Sequence, residues 1–326
     1  MKTKFYIVVL LVGVFVQTFP AHGAETDQFL ALEAEINDSG PALNRYLNEQ
    51  AAVFLAIENS HRNRTETAEK LAIKFYYHLF RGLQSSRLRS WAFTSDEVDR
   101  FPDLSVGYFE HYKKSIYDMR SFPFLMPMTR TIRIGNVRFG IDKFGHFLGF
   151  GRRGYKSYLK YRKRGMSDEE ATRKVIRYWI FSERYFVGNL TDGIFSYADI
   201  EANYQGMQML RSLGEGENAH LKMVDGQWVL TRPIDAMPFI TPDFDESYNH
   251  NHYSFMRKDH VFEGLCERYY EKLSLPIVSE RFKLYDETPK SIVKDETDRY
   301  YAEREEDPRK LQSLDCMCES LAKENQ

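Results

Sequence analysis

Apolar residues recur at helical intervals from Ala42 to Ile57, and again from Thr65 to Leu83, where Leu71, Phe75, Tyr76 and Leu79 share one side. That spacing predicts two amphipathic helices. Asp38-Ser39-Gly40-Pro41 precedes the first and puts a proline near its first helical position, where the missing N–H leaves nothing unpaired. Residues 24–130 therefore read as a helical N-terminal region, ending in an aromatic stretch interrupted by Pro102, Pro123 and Pro127. The period then changes. Ile132-Arg133-Ile134 and Val137-Arg138-Phe139 alternate around Gly135-Asn136, which predicts a small hairpin leading straight into Asp142.

Helical spacing returns from Asp142 towards Arg164. Ser167-Asp168-Glu169-Glu170 is a capping box, and the helix it opens should reach about Phe186. Ser196 caps a third helix running to Leu213. Leu221–Val224 and Gln227–Leu230 flank Asp225-Gly226, a strong two-residue turn signal. An extended stretch, Pro233 to Tyr253, and a short helix from Leu265 to Leu273 follow. Residues 131–279 thus form a core region, and residues 280–326 read as an exposed, charged tail. The fold class expected is α+β, mainly helical, with a helical core and one or two small β-hairpins.

Composition adds compartment. Lys2 and Lys4 precede an apolar run from Phe5 to Phe19, and Ala21-His22-Gly23 supplies small residues at the −3 and −1 positions. Residues 1–23 are read as a signal peptide cut before Ala24, giving an exported, periplasmic or secreted protein. Of the three cysteines, Cys266 could pair with Cys316 or Cys318 and staple the tail to the body. A net charge of −2 over 326 residues gives no electrostatic case for nucleic acid. Gly149 to Gly154 spells G-x-G-x-x-G, but inside a helix rather than after a strand, so a nucleotide site is not inferred. The basic residues from Arg152 to Arg164 form a solvated helix face that also allows peripheral membrane contact.

Candidate chemistry gathers between Gly140 and Gly206. Asp142 and His146 stand four apart on one helix, as do Asp199 and Asn203 on another, with Glu183 between; residues so spaced share a face. His146, Asp142, Glu183, Asp199 and Asn203 could together hold one divalent metal ion. Without metal, Asp142 could orient His146 as a general base, with Glu183 or Asp199 as the partner acid. The same residues also fit a purely architectural network, in which Ser196 and Asp199 form a capping box. Asp243, Asp245, Glu246, His250 and His252 make a second oxygen- and imidazole-rich cluster, which more simply packs the extended segment against the helices.

The order Asp142-Lys143-x-x-His146, then Glu183, then Ser196-x-x-Asp199-x-x-x-Asn203-x-x-Gly206 resembles the VanZ-like proteins and a related group of small bacterial putative lipoproteins. The match covers about residues 140–206. VanZ-like helices are strongly apolar and embedded in membrane, whereas these carry many Lys, Arg and Tyr. The resemblance implies a bacterial envelope setting. The expected function is a metal-assisted or general acid/base hydrolase acting on an envelope component or small molecule. The other reading is a non-enzymatic structural or binding protein of the envelope.

Overall fold

A computed structural model describes residues 25–61, 65–82, 86–118, 128–188, 193–304 and 318. The predicted signal peptide lies outside the described residues.

Among the described residues, ten helices and three small antiparallel sheets make a mainly helical fold. Helix α1 (Gly40–Ser60) buries Leu43, Leu47, Ala51, Phe54 and Leu55, the stripe its periodicity requires. Its entry is fixed by Asp38, whose Oδ1 accepts from Gly40 N at 2.8 Å and from Gly135 N at 2.6 Å. Helix α2 (Ala68–Leu79) is capped by Thr67 and buries Leu71, Phe75, Tyr76 and Leu79. Short helices α3 (Arg87–Thr94) and α4 (Tyr108–Lys114) follow. Strand β1 (Arg100–Phe101), not foreseen, adds to the predicted hairpin of β2 (Thr131–Ile134) and β3 (Val137–Gly140). Gly135 takes a φ of 59° at the hairpin turn, where a Cβ would be strained.

Helix α5 is one helix in three stretches: Lys143–Gly145, a π-turn at His146–Phe150, and Gly151–Lys163. Helix α6 (Asp168–Ser182) starts at the capping box as expected and passes into a second π-turn, Glu183–Val187. Strand β4 (Ile194–Phe195) then leads into α7 (Tyr197–Gly214), which is buried nearly all round. It is the axis of the fold and packs against α2, α5 and α6. Gly206 makes the α5 crossing possible, since a Cβ there would stand 1.9 Å from the carbonyl oxygen of Phe147.

The hairpin β5 (Leu221–Val224) and β6 (Gln227–Leu230) turns at Asp225-Gly226, both with positive φ. Strand β7 (His252–Tyr253) pairs with β4 and holds the Pro233–Tyr253 stretch against α7. Helix α8 (Lys258–Arg268) covers a second apolar cluster containing Phe29, Tyr117, Val261 and Phe262. Cys266 bonds to Cys318.

The tail differs from its expected form. Residues 276–302 build α9 (Pro276–Asp286) and α10 (Ile292–Ala302), and α10 packs on α6 and α7. Its Glu296 is fully buried, paired with Arg177 and, at 2.6 Å, with Arg173. Glu296 is thus an interhelical anchor, while most of the charged positions around it are exposed as expected. Among the described residues, no helix is long and apolar enough to cross a membrane.

Candidate functional site

The site forms where the start of α5, the start of α7 and two extended segments meet. Lys143 is its centre. Its side chain has no exposure, and its Nζ lies 2.7 Å from Asp142 Oδ2, 2.8 Å from Asp199 Oδ1 and 2.7 Å from Glu246 Oε1. Glu25 Oε1 stands at 3.9 Å. An ammonium has three N–H donors, and three carboxylates meet it at close range. Burial opposes the lysine's charge, but these acids outweigh it and hold its pKa well above the ordinary value.

The acids divide by environment. Asp142 lies below its usual range: burial works against its charge, and the pull of Lys143 and a hydrogen bond from Thr26 prevail. Glu25 is pushed well up, by burial first and by Glu246 second. Glu246 rises to about 7, mainly through burial, with Asp142 and Asp199 adding repulsion against the pull of Lys143. The cation thus favours the charged form of Asp142, while burial favours the protonated form of Glu25 and Glu246.

His146 opens the first π-turn, and its Nε2 lies 3.2 Å from Asp199 Oδ2. Its partner is therefore Asp199, on α7, and not Asp142 four residues before it. Asp142 is turned instead towards Thr26 and Lys143. Burial lowers the imidazole's pKa, only partly offset by Asp199, so the ring is neutral at pH 7. A neutral ring donating through Nε2 keeps its basic lone pair on Nδ1, which has no protein partner among the described residues. The ring also stacks on Phe150 at 5.3 Å.

Ser196 caps α7 by accepting from Asp199 N at 3.1 Å, and its own hydroxyl donates to Glu246 Oε1 at 2.8 Å. The expected capping box is not closed. The Ser196 N–H reaches Glu183 Oε1 at 3.4 Å, leaving the Asp199 carboxylate to Lys143 and His146. Glu183 opens the second π-turn. Glu25, His146, Glu183 and Asp199, with Val187, Gly188 and Ile194, line one cavity of about 30 Å³, room for a water or two. Asn203 is buried one turn further along α7 and does not line it.

The metal expectation meets a difficulty. Among the described residues, no group of three or more His, Cys, Asp or Glu is arranged to hold an ion. The place between Asp142, Asp199 and Glu246 is taken by the Lys143 ammonium, which would repel a second cation. Of the expected donors, Asp142 is turned to Lys143 and Asn203 lies off the cavity, while His146, Glu183 and Asp199 line it.

The second predicted cluster separates. Glu246 joins the Lys143 centre, while Asp245 accepts from Ser247 N at 3.0 Å and Asn249 donates to Asp243 O at 3.1 Å. His250 meets Ser247 O at 2.8 Å, and His252 meets Tyr197 OH at 2.7 Å. Lys143, Glu25 and Thr26 are the members of the site to which no role was assigned from sequence, and Glu246 figured only as part of the second cluster. A lysine between Asp142 and Phe144 was a usable sign for the first; nothing local marks Glu25 or Thr26. Comparison with protein-family models, with curated proteins and with solved structures finds no match to this chain.

Proposed function

We propose that this is an exported, envelope-associated protein in which His146, oriented by Asp199, is the general base of a hydrolytic reaction on an envelope component. Glu183 is the carboxyl placed to return a proton to the leaving group. Lys143 and Asp142 are positioning residues that fix Asp199. The observation that carries the reading is the shared cavity: His146, Glu183 and Asp199 line one water-sized space beside a fully buried ammonium. In that space the neutral His146 ring would take the proton of an attacking water.

Two further facts support it. Both π-turns among the described residues begin on site residues, His146 and Glu183, and such turns recur at functional sites. A buried lysine with four acids is also costly as mere scaffolding, since apolar replacements are often neutral or stabilising, while shifted pKa values gather at functional sites. The Cys266–Cys318 bridge supports an oxidising compartment. The motif order supports placing the chain beside the VanZ-like proteins.

An architectural reading has one observation in its favour. Lys143 has no exposure, and the cavity admits water but no substrate-sized group. The two part on His146→Ala, assayed for release of soluble fragments from envelope preparations. A general base predicts a loss of roughly 10²–10⁴-fold with an unchanged melting temperature. A wild type without activity, together with a destabilised variant, would leave the architectural reading standing.

A further inference from the structure

A second cleft lies one ring away from His146. It has a volume of about 190 Å³ and runs between α5 and α6, lined by Phe150, Arg153, Ser157, Tyr161, Tyr178 and Trp179 among others. Phe150 belongs to both places, since it lines the cleft and stacks on His146. The volume is below the roughly 300–1,000 Å³ of pockets for drug-sized ligands, so it takes a group of about one ring. Its walls are two helices whose backbone groups are already paired, which excludes strand addition and leaves recognition to side chains.

Those side chains have a definite chemistry. Aromatic rings line the space, and Tyr178 is 61% exposed. Ser157 and the tyrosines bring hydroxyls. Arg153 lies over the Phe150 ring at 5.2 Å, and Lys174 over the Tyr161 ring at 4.9 Å. Neither cation has a carboxylate within ion-pair distance among the described residues, and both are exposed, as are Lys156 and Lys160 nearby. An acyl chain would want apolar walls without cations. A neutral sugar would leave the guanidinium unused.

We propose that this cleft binds a single sugar ring carrying a carboxylate, with its C–H face on the aromatic walls and its carboxylate on Arg153. The inference goes beyond the hydrolase reading and rests on it for the use of the ring but not for its binding. Calorimetric titration of the mature chain with D-glucuronic acid tests it. Saturable binding is expected, roughly tenfold or more weaker for glucose and for the methyl ester. Arg153→Gln and Tyr178→Ala, both at exposed positions, should weaken it similarly. His146→Ala should bind as the wild type does. Absence of saturable binding, equal binding of glucose, or an unaffected Arg153→Gln would each overturn the site. Glucuronate binding in a chain that hydrolyses nothing would uphold the site and refute the hydrolase instead.

Discussion

An ammonium enclosed by acids is stable only while its partners are present. Lys143→Met leaves Asp142, Asp199 and Glu246 facing one another without a cation. Removing one side of a buried ionic group costs about 3–5 kcal/mol, so a loss of that order is expected in urea unfolding. A loss below 1 kcal/mol would show that the acids simply take up protons. Glu201 offers a cleaner pH probe than the coupled cluster. It is buried on α7, accepts from Gln205 and Thr241, and its pKa is raised to about 7 by burial first and Asp243 second. A raised carboxyl gives stability that is complete below its unfolded pKa of about 4.5 and lost as pH rises through about 7. His146 acts with the opposite sign, because its lowered pKa favours folding as pH rises towards 6.5. The informative quantity is thus a difference: melting temperatures of wild type and Glu201→Gln, followed from pH 4.5 to 8, should separate progressively in favour of the variant. Parallel curves would refute the shift. At this scale the sequence was half legible. Asp142, His146, Glu183 and Asp199 do share a neighbourhood, but which acid faces His146 depends on how α5 crosses α7, and spacing within one helix cannot tell that.

Elements were far easier to read than their junctions. The buried stripes of α1 and α2, the capping box of α6 and both turn signals need only local sequence, and each stands where the pattern puts it. The π-turns were not legible, because each depends on packing beyond its own helix. The first coincides with a close crossing of α5 and α7, where Gly206 faces the Phe147 carbonyl and Gly151 faces the Gly206 backbone. Gly206→Ala should therefore separate α5 from α7 and disturb His146 with them. Overpacking of this kind costs typically 1–3 kcal/mol, and here the obstacle is backbone, which yields little. Gly107→Ala is the control, since a Cβ there meets nothing within 4 Å. Equal stability of the two variants in chemical denaturation would contradict the crossing.

For the whole molecule, closure comes from the C-terminal part of the chain. Charge density between residues 280 and 304 resembles that of a solvated tail, and only the partners on α6 reveal that Glu296 is a buried anchor. The disulfide spans 52 residues, and chain entropy for such a loop gives about 4 kcal/mol as an upper expectation, with 2–4 kcal/mol typical. Cys318→Ser should lose stability in that range under oxidising conditions and match the wild type once both are reduced. A variant as stable as the oxidised wild type would mean that the bridge contributes nothing.

Glu25, Thr26, Asp27 and Gln28 are all buried, and Glu25 and Thr26 reach into the Lys143 centre. If residues 1–23 are cut as the predicted signal peptide, the order of events matters: a peptidase needs several residues of extended chain in its cleft, and these four are held in the wall of the body. Such a cut would then have to precede closure of the body, because a chain closed first would shield the junction.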